Sequence, residues 1–311
     1  MRRALLHGLV KTSLFAMRIS NLLNPSKRGR SWVRNHFRRF VFTQYFRFAL
    51  LPALKNFSTA AAAKATKSPD TIWQIWAQGE ASAPPIVAQC FASAAAHKGT
   101  LGHKILDAAA LENLTDIPPV VWKKYRAGKI GEAHFSDIAR LALLAKYGGV
   151  WADATCFFTA EISPDILAAD FFMFQKSARG AYGHFFVQNC FIRAKAGNYL
   201  ARAWYFLICE YWSREVCALD YFMHQIIFRA LVMYDARACS EWRRIPKKDQ
   251  DATHAAHLLI AKPFDRDAWN TASSRSFFQK LVHSWHKIHH PKGMPPDGTL
   301  FDAVGRGLLS Q

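Results

Sequence analysis

Asp137, Arg140 and Asp153 are the residues of this chain whose types and spacing most suggest joint chemistry. The first two lie three apart in His134–Cys156 (HFSDIARLALLAKYGGVWADATC), so on a helix they share one face. Asp153 follows a short apolar run, Val150–Ala152, and would stand just past the end of a buried strand. Alone, an Asp/Arg pair at this spacing is a helix-surface contact of ~0.2–0.5 kcal/mol, and a strand-end Asp is a turn or cap residue. Together, outside the carboxyl end of a strand, they suit a polyanionic ligand carrying a divalent cation. Three further sets are weaker. Asn189 is a polar amide inside an apolar strand and needs a partner there. Asp220 and His224 fall four apart, on one face of an expected helix, as an acceptor-side or base pair. His283, His286, His289 and His290 form the densest histidine cluster. No zinc pattern, phosphate-binding glycine loop, nucleophile elbow or dinucleotide fingerprint is present.

The elements that must position these residues follow from periodicity. Leu141, Leu143, Leu144 and Tyr147 give Ser136–Tyr147 an apolar stripe, and Gly148–Gly149 is the expected helix end. Strands are expected at Thr71–Ala77, Leu101–Asp107, Phe171–Gln175 and Phe185–Ala194. Helices are expected at Pro85–His97, Pro118–Lys129, Tyr199–Arg214 and Leu219–Tyr234. Strands alternating with helices point to an α/β domain whose mainly parallel sheet is covered by helices on both faces.

The block around Asp137 resembles the sugar-nucleotide glycosyltransferases of GT-A fold, and in particular the capsular polysaccharide synthesis family, related to the α-mannosyl and toxin-type glucosyl transferases. The shared pattern is Ser136, Asp137, Arg140, a leucine-rich helix, then Tyr147, Gly148, Gly149, Trp151, Asp153, Ala154 and Thr155. It continues in Ile72–Gly79 (IWQIWAQG), Leu114–Lys129, Gln188–Ala194 (QNCFIRA), Tyr211–Trp212 and Asp220–His224 (DYFMH), over about residues 71–290. The resemblance implies transfer of a sugar from a nucleotide-sugar donor to a glycan or lipid-linked acceptor, with retention of anomeric configuration. No covalent nucleophile is evident, which favours front-face displacement with the leaving phosphate as base.

By the same resemblance, Asp137 and Arg140 grip the donor, Arg140 with a planar fork that stays charged. From the residues themselves, Trp76 is placed to stack on the base or to fill the core, Gln78 to approach the ribose, Asn189 to meet the sugar or a local backbone group, and Asp220 to serve the acceptor side or a plain helix contact. The resemblance also assigns the cation. Asp153 holds Mn²⁺ or Mg²⁺, which bridges the two phosphates and neutralises the leaving group. The chain departs from the family's Asp-x-Asp at Thr155, where the second carboxylate is missing. Thr155, water or His283 would have to complete the cation site.

Charge divides the chain. Of its formal +19, residues 1–70 carry 14 Lys/Arg against one acidic residue, Asp70, leaving the body mildly basic. In residues 1–57, Leu5, Leu9, Phe15, Trp32, Phe37, Phe42 and Phe46 interleave with arginines and lysines, without the ~18 uninterrupted apolar residues of a membrane span. This reads as a basic amphipathic helical arm on an anionic membrane surface, where each cation contributes about 1 kcal/mol; docking of its aromatics on the body is the plainer alternative. Residues 58–70 (STAAAAKATKSPD) read as a linker and 71–311 as the transferase domain. Six cysteines without a paired spacing read as reduced thiols, so the expected location is cytoplasmic, peripheral on the inner face of the cell membrane. Nucleic acid is not an expected partner. A catalytically silent membrane-surface scaffold with a degenerate transferase fold is the competing reading, favoured by Thr155.

Overall fold

The computed structural model describes residues 39–57, 70–175, 187–285 and 297–310, together with Gly8, Phe15 and Ile19. The expected linker up to residue 69, most of the arm before residue 39, and His286, His289 and His290 lie outside the described residues.

Among the described residues five strands form the central sheet: β1 (Thr71–Ile75), β2 (Gly102–Leu106), β3 (Gly149–Ala152), β5 (Phe171–Gln175) and β6 (Val187–Ala194), in the order β2-β1-β3-β6-β5. β1 pairs in parallel with both β2 and β3, whereas β6 runs antiparallel to β3 and β5. The sheet is therefore mainly parallel, with β6 alone reversed. A second, two-stranded sheet joins β4 (Cys156–Phe158) to β7 (Phe278–Lys280).

Alternation along each strand sends side chains to two cores. Trp73, Trp151, Phe171 and Met173 face the helices Glu132–Tyr147, Tyr199–Arg214 and Met223–Tyr234. Ile72, Val150, Phe172 and Phe174 face the opposite way, onto β4, β7 and the helix Pro164–Ala168. A third cluster, built on Ile86, Phe91, Phe157 and Trp269, extends this second layer toward the C-terminus.

The arm is not wholly separate from the body. Residues 39–49 are helical, and Phe42, Tyr45, Phe46 and Leu50 are buried in the same core as Trp151 and Trp212. Part of the expected arm, residues 39–57, therefore packs with the body, and the residues that follow the expected boundary at 57 lie outside the described ones. An apolar stripe flanked by arginines suits a protein core as well as a bilayer, and here the nearer apolar surface is the helix Tyr199–Arg214, which the following 3₁₀ turn (Leu51–Asn56) also touches. Phe40 and Phe48 remain on the outside.

Two glycines fix how the helix before β3 meets the sheet. Gly148 ends Glu132–Tyr147 at φ 68°, and Gly149 opens β3 at φ 95°. A Cβ on Gly149 would collide with the Thr71 carbonyl of β1, and one on Gly148 with the backbone at Ala196. The carbonyl of Gly148 also accepts Trp73 Nε1–H over 2.8 Å. This tight junction sets the phase of β3, and hence the position of Asp153.

Candidate active site

The parallel strands β1 and β3 end on one side of the sheet, where a cleft of about 910 Å³ opens, in the size range of ligand sites and where open α/β sheets bind ligands. Trp76 and Gln78 line it after β1, Asp153 and Thr155 after β3, and Gln188 and Asn189 at the start of β6. Asp137 and Arg140 reach it from the helix Glu132–Tyr147, and Lys280 and His283 from β7 and its exit. Among the described residues the structure thus gathers the site residues expected from the sequence, apart from Asp220.

Arg140 links the two carboxylates. Its Nη2 lies 3.1 Å from Asp137 Oδ1 and 3.3 Å from Asp153 Oδ1. Nε donates to the Ser136 carbonyl, Nη1 donates to the Asn189 carbonyl, and the guanidinium lies over the Trp151 ring. Every guanidinium nitrogen is engaged within the protein, so Arg140 acts as a strut between Asp137 and Asp153.

Asp137 is itself buried. Asn189 Nδ2 donates to its Oδ1 over 2.9 Å, and Nδ1 of His224 lies 3.3 Å from the same oxygen. Asn189, expected at the donor, therefore finds its partner in a local carboxylate. Burial raises the Asp137 carboxyl, but His224, Arg140 and His134 outweigh it and hold it below the ordinary carboxylate value. His224 is fully buried and stacks on Trp204 at 3.9 Å between ring centroids. Burial pushes its pKa down to about 3, against the pull of Asp137, so it is neutral at pH 7.

Asp153 is held at backbone and side chain. Its N–H donates to the Cys190 carbonyl over 2.8 Å, and its own carbonyl accepts from Gln74 Nε2 at 3.3 Å. Oδ1 accepts Trp151 Nε1–H over 2.8 Å, and Oδ2 lies 3.1 Å from Lys280 Nζ. Burial raises this carboxyl too, but Lys280, Arg140 and Trp151 outweigh it and lower its pKa. Its side chain stays 23% exposed, compared with 9% for Asp137, which makes Asp153 the carboxylate that faces the cleft.

Asp220 does not itself line the cleft, although Tyr221 and Phe222 do. The helix expected from Leu219 starts at Met223, and the Asp220 carboxylate accepts the Phe222 N–H at 2.8 Å in the preceding turn. A short carboxylate bonding its own backbone two residues on is a turn-forming habit of Asp. It breaks the register that would have set Asp220 and His224 on one face.

The expected cation donors do not fit a Mn²⁺ or Mg²⁺ site in this arrangement. Asp153 Oδ2 and the Thr155 hydroxyl converge on the Lys280 ammonium, which donates to both. The His283 ring instead packs edge-on to Trp76, 5.8 Å between centroids. Among the described residues no group of three His, Cys, Asp or Glu side chains is placed to hold a metal. Lys280 is the residue that sequence reasoning missed: nothing local marks it, and its partner Thr155 is 125 positions away.

A sequence model of the family described as "Capsular polysaccharide synthesis protein" matches residues 33–294. Among solved structures the chain is similar to one titled "PaToxG Glycosyltransferase", at 14% identity and a TM-score of 0.38, over 87% of this chain and 98% of that one. Comparison with curated protein sequences gives no match.

Proposed function

Since the chain belongs to the capsular polysaccharide synthesis family, we propose that it is a glycosyltransferase of the hexosyl-transferring class. It moves a sugar from a nucleotide-sugar donor to a growing capsular-type surface polysaccharide or lipid-linked glycan, with retention of configuration. The observation that carries this reading is the Asp137–Arg140–Asp153 network beside a cleft at the carboxyl end of the parallel strands. Trp76 and Gln78, which line the cleft after β1, take the nucleoside. Asp153, held rigidly yet partly exposed, faces the sugar and diphosphate. Asp137, Asn189 and His224 lock Arg140 in place behind it. This is preorganisation: the charges that meet the donor are fixed before it arrives.

In the reaction the bond between the anomeric carbon and the diphosphate oxygen breaks, and its electron pair stays with that oxygen. The acceptor hydroxyl oxygen bonds to the same face of the carbon, and its proton passes to the leaving diphosphate. The carbon develops oxocarbenium character, as in glycoside hydrolysis, which the nearby Asp153 carboxylate favours.

The acceptor is met at the inner face of the cell membrane, which the basic residues 1–57 approach. Phe15, Phe40 and Phe48 are large apolar side chains, 64%, 64% and 48% exposed, and they support this placement. Among the described residues no helix is long and apolar enough to cross a membrane.

The test is a thermal-shift panel of UDP-, GDP-, CMP- and ADP-sugars, with and without Mn²⁺, on wild type and Asp153→Asn. A ligand at 100 Kd adds about 2.7 kcal/mol of stability. Stabilisation by one nucleotide class, weakened in the variant, is expected. No stabilisation by any of them in folded protein would favour the silent scaffold.

A further inference from the structure

Lys280 occupies the place where a divalent cation would be expected. Its ammonium lies 3.1 Å from Asp153 Oδ2 and donates to the Thr155 hydroxyl, the two positions whose side chains would carry a metal. It does not reach them by chance of a long side chain. In the β4–β7 ladder Lys280 is opposite Cys156, and the next residue, Leu281, donates its N–H to the Thr155 carbonyl over 2.8 Å. The preceding Gln279 is fully buried; its side chain accepts from Ala256 N and donates to the Ala252 carbonyl, both at 3.1 Å. β7 is thus anchored on both sides of the lysine. The stem is buried enough to hold the ammonium in place, yet 22% of the side chain is exposed to the cleft.

Thr155 fits this arrangement and a second Asp would not add to it. An ammonium is a donor only, and a hydroxyl accepts from it without a second charge. With Thr155, the ionic set Asp137, Asp153, Arg140 and Lys280 is two carboxylates against two cations. Two of the three ammonium N–H groups meet Asp153 and Thr155, which leaves one for a ligand oxygen.

We infer that Lys280 supplies, from within the chain, the positive charge that meets the donor's diphosphate, so that donor binding does not require a divalent cation. This rests on the transferase reading above. As the bond to the anomeric carbon breaks, the electron pair goes to the phosphate oxygen, and the Lys280 ammonium is the fixed cation beside it. Thr155 keeps the ammonium oriented, and Asp153 holds it in the cleft.

The experiment is calorimetric titration of UDP, GDP, CDP and ADP into the full chain, in excess EDTA and again with Mn²⁺. Wild type is expected to bind one of them with Kd unchanged within about threefold between the two conditions. Binding that appears only with Mn²⁺ would overturn the inference and leave the transferase reading standing. Absence of binding in both conditions would remove both. Lys280→Gln is expected to weaken the diphosphate in EDTA by about tenfold or more, while the matching nucleoside without phosphates binds as to wild type. Equal weakening of nucleoside and diphosphate would make Lys280 merely structural and end the inference. Lys280→Arg, which keeps a cation, is expected to restore metal-free binding. The wild-type comparison needs no variant to fold.

Discussion

Trp151 holds the carboxylate of Asp153: its indole Nε1–H donates to Oδ1 across 2.8 Å, from two residues back, near the end of β3. Residues two apart in a strand point to the same face, so the extended chain itself delivers the contact. The indole is buried, and its ring also carries the Arg140 guanidinium at 5.0 Å. One aromatic side chain therefore orients both partners of the Arg140–Asp153 pair.

Trp151→Phe keeps most of the buried apolar volume and removes the N–H. Losing one hydrogen bond to a charged group costs about 1.5–3 kcal/mol, and the freed Oδ1 lets the carboxylate turn. Sugar transfer should fall by about tenfold or more in kcat, with far-UV circular dichroism unchanged. Transfer at the wild-type rate would show that the carboxylate is positioned by Arg140 and Lys280 alone.

Arg140 makes a different prediction because it lies between the buried Asp137 and the partly exposed Asp153. Removing one partner of a buried pair costs about 3–5 kcal/mol, and Arg140→Ala would leave Asp137 and the Asn189 carbonyl short of a donor at once. Arg140→Lys keeps the charge but not the fork, so it should lie between Ala and wild type. Urea unfolding of the three proteins gives the order directly. A stability for Arg140→Ala within about 1 kcal/mol of wild type would mean that the network orients without stabilising.

Much of this site is legible in the sequence for physical reasons. The period of the helix before Tyr147, the glycine pair and the strand-end aspartate are local features, and their side chains meet through nearest neighbours in the sheet. Lys280 is not local. It sits on a three-residue strand, too short to show alternation, and reaches its partners only through the pairing of β4 with β7. Asp220 misled because helix periodicity does not reveal where the first turn begins. The aromatic stripe of residues 42–50 was ambiguous in principle, since bilayer and protein core select the same amphipathic pattern.

Buried imidazoles set the acid side of the stability profile, His224 and His254 most strongly, with His103 and His257 lowered as well. Burial lowers His224 to about 3 and His254 to about 4, from an ordinary 6.5. Above 6.5 neither state binds these protons; below it the unfolded chain takes them up first, so stability falls as pH falls. Each group contributes a slope of about 1.4 kcal/mol per pH unit between its two values. Asp137 and Asp153, lowered from 3.8 in the native state, add a further loss below that value. Urea midpoints followed downward from pH 6.5 should decline steadily, and His224→Gln should remove part of the slope. A flat profile over the window would contradict neutral buried imidazoles.

Residues 39–57 pack on the body, so the proposed membrane contact falls to the residues before them. Phe42, Tyr45, Phe46 and Leu50 are buried in the main core, with Phe46 and Tyr211 of the helix Tyr199–Arg214 in edge contact at 6.0 Å between centroids. Each large apolar side chain contributes about 1.5–3 kcal/mol on burial, so four together rival the net stability of a domain, about 5–15 kcal/mol. Deleting residues 1–57 should therefore give insoluble or molten protein. Deleting only residues 1–38 should leave a cooperative melt and nucleotide binding, while sedimentation with phosphatidylglycerol-containing vesicles is lost or sharply reduced. If the shorter deletion still sediments with those vesicles, the membrane contact belongs to the body and its exposed Phe40 and Phe48. If the longer deletion melts like wild type, residues 39–57 are an appendage after all, and their burial contributes little to the fold.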